Sequence, residues 1–345
     1  MKVSLKDANA AKQYLIESEN LDHSRKLEKT DSEIYFPVSK RIKKKLDFDY
    51  EIRACSLKRQ YVKKNLKDIL ANMLTKEEYE SAKTSFDVVG NIAILEIDKD
   101  LRNKEKVIAN ALLQTNPMIK TVLRKEGSHS GIFRTQGMKY LAGERKKETL
   151  HKENDVLLKM DVSKVYFSAR QATERKRIAS LIKKDERVLV LFSGCAPFPL
   201  VISKNSEPKY VCGVEVNPTG HKYAKENVLI NKMDNIFLSN RDAHNVEKIL
   251  SDFKDIPDFD PHFDRIIMPL PKSADEFLDE AFFFSKRNTI VHFYDFLEEH
   301  EFEVAHKKIK EVAIKHVLNT KIIETVKCGQ HAPHVFRICV DFKVL

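Results

Sequence analysis

VLVLFSGCAPF, residues 188–198, is the stretch on which the fold turns. Four apolar β-formers run into Phe192 and then into a turn built from Ser193, Gly194 and Ala196. A continuous apolar run, as opposed to an alternating one, is the pattern of a strand buried on both faces. The small residues after it let backbone N–H groups approach a ligand at the start of the next helix, because a larger side chain would fill the ligand's space. One glycine is a weak motif alone and more often marks an ordinary strand-to-helix turn, so the reading depends on what lies downstream.

Downstream the rhythm repeats. RVLVLF (187–192), YVCGVE (210–215), NIFLS (235–239), FDRIIM (263–268) and NTIVHFY (288–294) are short apolar runs separated by helix-length segments, the signature of a parallel sheet wrapped by helices. TKIIETVK (320–327) and HVFRICVDFKV (334–344) follow each other without a helix, which predicts an antiparallel pair closing the sheet. Residues 161–345 therefore read as an α/β catalytic domain. Glu215 closes the second run roughly 20 positions after Gly194, where an acidic side chain accepts ribose hydroxyls in nucleotide-binding α/β folds. Asp242 follows the third run in NRDAHN, placed to accept an adenine amine. The fourth run ends in MPLP (268–271), whose prolines are expected to leave the carbonyls of Met268 and Leu270 without competing local donors. Phe192, Pro197, Phe198, Val216 and Ala243 are expected beside them. Each carboxylate alone is as readily a surface or capping group; four features at four consecutive strand ends mark one crevice. A dinucleotide would want further glycines over its pyrophosphate, whereas S-adenosylmethionine has no phosphate. The expected architecture is thus a Rossmann-like class I S-adenosylmethionine-dependent methyltransferase domain preceded by two smaller α+β domains.

Residues 1–54 form the first of these, with a short helix over 4–17 and a strand in EIYFPV (33–38). The second spans 55–160. There Val62, Leu66, Ile69, Leu70 and Leu74 have helical spacing, FDVVGNIAILEI (86–97) is β-rich with Gly90 as a hairpin or bulge, and a helix near 103–115 precedes strands near 118–124, 131–134 and 155–162.

Sixty-one Lys and Arg against 51 Asp and Glu leave a net charge of +10, which favours a polyanionic partner. Clusters in SKRIKKKL (39–46), SLKRQYVKKNLKD (56–68), GERKK (143–147) and ERKR (174–177) spread that charge as a long partner would require, although charge runs are commonly solvated faces. No apolar run approaches the roughly 18 residues of a membrane span, and the N-terminus is too polar for a signal peptide, so a cytoplasmic protein is expected. The five cysteines show no metal-ligand spacing; they are expected reduced and mostly buried, with no metal site.

SFDVVGNIAIL, LAGE, HKEN, VYFSAR, ATER, the FSGCAPF loop, EVNP (215–218), MPLPKSADEFLDEA, VHFY and the terminal AP and DFK together resemble the archaeal tRNA guanine-N1 methyltransferase family, which acts on the purine at anticodon-loop position 37. The resemblance covers most of the chain. It implies Glu174 as general base and Arg134 as the charge-stabilising arginine, with Tyr166, Arg170 and Arg175 lining the same site. It also implies that the N-terminal module grips the outer corner of the tRNA. A monomer that needs no metal is expected. Two departures stand out: Ala196 replaces the family's second loop glycine, and Pro269 stands where most members have asparagine. An asparagine amide can hydrogen-bond the target base and a proline cannot. MPLP resembles an archaeal subgroup that also methylates the tricyclic wyosine precursor 4-demethylwyosine, which leaves a bifunctional enzyme open. Two alternatives remain at this stage: an aminocarboxypropyl transferase using the same cofactor, and a non-catalytic tRNA-binding protein.

Overall fold

The structure, a computed structural model, describes residues 1–22, 24–42, 45–58, 66–81 and 85–345. It forms two compact units, residues 1–72 and 73–345.

In the first unit, β1 (Lys2–Ser4), β2 (Glu28–Lys29), β3 (Glu33–Tyr35) and β4 (Tyr50–Glu51) pair antiparallel in the order β2-β3-β1-β4. Helix α1 (Ala8–Glu17) places Ala11 and Leu15, one turn apart on the same face, into a core with Val3, Ile34 and Phe36. The helix expected from position 62 is observed as α2 (Leu66–Ala71). Val62 lies outside the described residues, as do Lys43, Lys44 and residues 59–65 of the basic clusters.

The second unit opens with α3 (Lys76–Ser81) and a sheet of β5 (Phe86–Val89), β6 (Ile92–Leu95), β7 (Thr121–Ser130) and β8 (Thr135–Gly143) in that order. Strands β6 and β7 are parallel, joined by α4 (Glu105–Thr115); the other two pairings are antiparallel. Gly90 makes the β5–β6 turn with φ +56°, and a Cβ there would lie 2.2 Å from Thr149 Oγ1. GIFR (131–134), expected as a strand, is instead the turn between β7 and β8: Gly131 (φ +68°) and Arg134 (φ +50°) are both left-handed, and Ser130 pairs with Thr135 across it. The hairpin β9 (Glu148–Glu153) and β10 (Val156–Asp161) follows.

Helix α5 (Ala172–Leu181) leads into the large sheet, formed by β11 (Arg187–Leu191), β12 (Tyr210–Val214), β13 (Ile236–Ser239), β14 (Phe263–Met268), β15 (Ser285–Glu298), β16 (Thr320–Ala332) and β17 (Val335–Val344). Their order is β13-β12-β11-β14-β15-β17-β16; the first five are parallel and β17 runs antiparallel between β15 and β16. The sheet is covered by α6 (Pro197–Asn205), α7 (Pro218–Asn231), α8 (Val246–Phe253), α9 (Leu278–Phe283) and α10 (Phe302–Lys315). Along β11, Val188 and Val190 enter one core and Leu189 and Leu191 the other, which is why the run reads as continuously apolar. On α7, Asn227 and Asn231, one turn apart, act as a surrogate strand for β10. Their side chains accept from the N–H groups of Lys159 and Leu157 and donate back to the same residues' carbonyls. The β9–β10 hairpin is thereby fixed to the sheet domain.

Candidate active site

The loop after β11 holds three left-handed residues within five positions: Phe192 (φ +55°), Gly194 (φ +56°) and Ala196 (φ +67°). A non-glycine residue in that region costs roughly 1–2 kcal/mol, so Ala196 keeps a conformation for which glycine is the easier residue. Its frame is held by Ser193 N–H donating to Val214 O and Ala196 N–H donating to Ser193 O, both at 2.9 Å. Proline at the first position of α6, with its pre-set φ, then starts the helix.

Glu215 braces the loop from the end of β12. Its Oε2 accepts from Gly194 N–H at 2.6 Å and its Oε1 from Asn217 N–H at 2.7 Å. The side chain is 9% exposed; burial pushes its pKa up against the opposing pull of those two donors. A carboxylate has about four acceptor positions, so two ribose hydroxyls can add to this arrangement.

Two adjoining clefts open along the carboxyl edge of the parallel strands and share Ile132, Arg134, Phe192, Val216 and Leu270. The first is lined also by Tyr166, Gln171, Arg175, Gly194, Pro197, Phe198, Glu215 and Pro269. The second adds Val214, Asp242, Ala243, Ser273 and Phe277. Phe277 packs edge-on to Phe192 (centroids 4.7 Å) and stacks on His244 (4.2 Å). Asp242 accepts the His244 N–H at 3.0 Å. Most of the expected cofactor residues thus meet at one edge. Met268 does not line the clefts: its side chain is buried, and its carbonyl accepts the Leu270 N–H at 2.8 Å. Leu270 O likewise takes a long bond, 3.4 Å, from Ser273 N–H. The expectation that the prolines leave both carbonyls without local donors is therefore corrected; the i+2 turn forced around Pro269 supplies one.

The turn 131–134 carries Arg134 from the middle sheet to this edge, where its Nη2 donates to Ser273 Oγ at 2.9 Å. Tyr166 lines the first cleft and its hydroxyl accepts from Arg337 Nη2 at 3.1 Å. Arg170 is exposed and paired with Asp87 at 2.7 Å. Arg175 is 1% exposed; its Nε and Nη2 grip Glu153, at 2.5 and 2.6 Å, and Nη2 also reaches Ser168 O. Arg177 is likewise engaged internally, with Glu174 and Asp341. The ERKR segment is accordingly no solvated basic patch, because two of its arginines neutralise buried carboxylates. Glu174, in the first turn of α5, is 5% exposed and is not part of the cleft lining; it accepts from Arg177 at 2.8 Å through both oxygens and from Tyr294 Oη at 2.5 Å.

Three contributors were not singled out from sequence. Gln171, Asn217 and Phe277 line the clefts, and no spacing signal marks Gln171. Gln171 Nε2 and Ser193 Oγ are buried there without a protein hydrogen-bond partner, the condition expected of polar atoms that serve a ligand. Elsewhere His292, Cys339 and Asp341 bring ligand-type atoms within 4.8 Å, but His292 Nδ1 is bonded to Asp341 and its Nε2 to Arg265.

A parallel sheet with a left-handed loop after its first strand and a buried acid closing the second is the arrangement of a nucleotide-binding α/β domain, and the family match assigns it to the methyltransferases. Residues 149–323 match the TRM5/TYW2 methyltransferase domain, residues 66–146 the TYW2 N-terminal domain, and residues 1–47 the tRNA methyltransferase 5 N-terminal domain. The chain belongs to the TRM5/TYW2 methyltransferase family. It is 32% identical over 345 residues, 100% of this chain and 98% of the relative, to the tRNA (guanine(37)-N(1))-methyltransferase Trm5b of Pyrococcus abyssi. It is 32% identical over 271 residues, 66% of this chain and 89% of the relative, to the tRNA (guanine(37)-N(1))/4-demethylwyosine(37)-methyltransferase Taw22 of Nanoarchaeum equitans. The crystal structure of Trm5b from Pyrococcus abyssi matches at TM-score 0.75 with 31% identity, covering 99% of this chain and 98% of that one. That of M. jannaschii TYW2 in complex with AdoMet matches at 0.56 with 27% identity, covering 75% and 99%. Among the described residues no helix is long and apolar enough to cross a membrane.

Proposed function

We propose that this enzyme methylates N1 of guanosine 37 in tRNA. The observation that carries the reading is the delivery of Arg134, by a hairpin of the middle sheet, to the crevice at the carboxyl edge of the catalytic sheet. Glu215 and Asp242 would hold the ribose and adenine of S-adenosylmethionine, with Phe192, Gly194, Pro197, Phe198, Val216, Ala243 and Leu270 around them. Bound in this crevice, the cofactor supplies an electrophilic methyl group. Guanine N1 carries a proton and is a poor nucleophile. Glu174 lies outside the cleft lining and is held by Arg177 and Tyr294, so it would turn toward the entering base to accept that proton as the N1–methyl bond forms and the sulfonium–methyl bond breaks to a neutral thioether; the guanidinium of Arg134 would stabilise the negative charge that gathers on O6. Tyr166 and Arg175 wall the base pocket, and Arg170 faces RNA from its exposed position. Because position 37 is stacked in folded tRNA, the base swings out before reaction.

The chain divides by role at residues 1–54, which hold the outer corner of the tRNA, 55–160, which hold the anticodon arm, and 161–345, which carry the chemistry. It works as a cytoplasmic monomer and without a metal. Pro269 in the cleft wall favours a second activity on 4-demethylwyosine, since a ring without a hydrogen-bond donor makes no demand that only guanine satisfies.

The test is mass spectrometry of nucleosides from tRNA-Phe incubated with enzyme and methyl donor, using G37 and 4-demethylwyosine-37 substrates. N1-methylguanosine is expected from the first and a methylated tricycle from the second. An aminocarboxypropyl adduct, or no product at position 37, rejects the first reading; an unchanged tricycle rejects the second.

A further inference from the structure

Glu174 sits at one end of a buried polar chain that crosses the domain. Arg177 donates to it through Nε and Nη2, both at 2.8 Å, yet the same guanidinium gives Nη1 to Asp341 Oδ2 at 2.7 Å. Asp341 in turn is bonded to His292 Nδ1 at 2.6 Å, and His292 Nε2 faces Arg265 Nη1 at 2.8 Å. Arginine only donates, so His292 Nε2 must be the acceptor and its proton must sit on Nδ1, pointing at Asp341. His292 is therefore neutral, in keeping with the lowering of its pKa by burial against the pull of Asp341. Arg265 is balanced separately, by Glu186 at 2.8 Å. One positive charge, on Arg177, is left between two carboxylates.

That division matters for chemistry. A buried carboxylate held by a whole guanidinium and a tyrosine hydroxyl is a weak base, because every donor favours its ionised form. Sharing the guanidinium with Asp341 divides its donors between two carboxylates while still fixing the direction of Glu174. Burial opposes the charge on Arg177, but the two carboxylates override it and push its pKa up; burial raises the pKa of Asp341, but His292 and Arg177 together drive it well below the usual carboxylate range.

We infer that Arg177 and Asp341 are positioning residues for Glu174, setting its direction and its strength as a base by dividing one guanidinium between two carboxylates. The inference rests on the reading of Glu174 as the general base. Among the described residues, the groups near Glu174 are Arg177 on its own helix, Tyr294 on β15 and Cys339 on β17, with Asp341 reaching it through Arg177 and Cys328 of β16 next to Cys339 and Tyr294. Of these only Arg177 and Asp341 carry charge at neutral pH: burial raises the pKa of Tyr294 and of Cys339.

The experiment is single-turnover methyl transfer by the full-length protein on a G37 tRNA between pH 5 and 9. It compares wild type, Glu174→Gln, Arg177→Gln, Arg177→Lys and Asp341→Asn, with tRNA affinity and thermal melting measured in parallel. Arg177→Gln strips the counter-charge, and the acid limb of its pH–rate profile is expected to rise by about one pH unit or more. Asp341→Asn hands the whole guanidinium to Glu174; its limb is expected to fall and its plateau rate to drop about 10-fold, as a weaker base requires. Arg177→Lys, which keeps charge without the bidentate fork, is expected to return the limb most of the way without restoring the rate. tRNA affinity is expected to stay within about twofold throughout. Limbs that move in the same direction, or a loss of rate with no movement, would reduce the chain to a folding element and overturn the inference. A wild-type rate in Glu174→Gln would overturn the general-base reading itself, an outcome visible before the other variants are compared.

Discussion

The backbone N–H of Gly194 donates to Glu215 Oε2 across 2.6 Å, tying together the ends of neighbouring parallel strands from residues 21 positions apart. The bond fixes the loop proposed to carry the cofactor and holds the carboxylate at the same crevice. Replacing Glu215 with Gln keeps the shape but removes the charge and one acceptor oxygen. Hydrogen bonds to a charged group contribute about 1.5–3 kcal/mol, so S-adenosylmethionine affinity should fall about 10- to 100-fold by calorimetry, with tRNA affinity unaltered. A loss below about threefold would remove Glu215 from the cofactor site.

Arg134 and Ser273 should separate under mutation. Arg134→Ala is expected to slow single-turnover methyl transfer by about 100-fold or more, the scale of a lost charge stabiliser, with little change in tRNA affinity. Ser273→Ala removes one hydroxyl partner of the guanidinium and should slow the reaction by no more than about 10-fold. Equal losses in the two variants would mean that Arg134 acts through Ser273 and not on the base.

Two glycines of the middle region make a matched pair. Gly90 and Gly131 both have left-handed φ, but a Cβ on Gly90 would strike Thr149 Oγ1 at 2.2 Å and Leu150 O at 2.6 Å, whereas one on Gly131 meets nothing within 4 Å. Gly131→Ala should cost only the backbone term, roughly 1–2 kcal/mol. Gly90→Ala should cost clearly more in chemical denaturation, because β5–β6 and β9 must separate to admit the methyl group.

Acid should act on the buried chain in two stages. The pKa of His292 is lowered in the fold, so the unfolded protein binds more protons and stability falls as pH drops below about 6.5. The pKa of Asp341 is also depressed, by His292 and Arg177 against burial; its contribution is complete above its unfolded value of about 3.9 and is lost as pH falls through its folded value. Melting temperatures recorded from pH 3 to 8 should show Asp341→Asn less stable than wild type near neutrality, with the gap closing below about pH 4. A gap that stays constant to pH 3 contradicts this assignment.

The catalytic sheet was legible because its strands are buried on both faces: RVLVL has no polar interruption, and neither do YVCGV and the end of FDRIIM. The position of Glu215 was legible because one strand, one helix and the next strand take a nearly constant number of residues. The middle hairpin was not. Ile132 and Phe133 made GIFR look like a strand, yet both are exposed in a turn, and no pattern in side chains reports the positive φ of Arg134. Strand β8 escaped notice because its buried face begins with the polar Gln136 and its alternation breaks at Leu141 and Ala142, which are both buried. The charges of ERKR misled for a different reason. Their partners, Glu153 and Asp341, stand 22 and 164 positions away, and local sequence cannot distinguish a solvated arginine from a buried one.

The β7–β8 hairpin belongs to one sheet by its strands and to another by its tip. On the proposed reading that the middle sheet holds RNA, a shift of that sheet would reach Arg134 through the paired strands of the hairpin and its bond to Ser273 in the loop after β14. An insertion in the tip, between Ser130 and Thr135, should then part RNA holding from methyl transfer while leaving the strands of the large sheet in place.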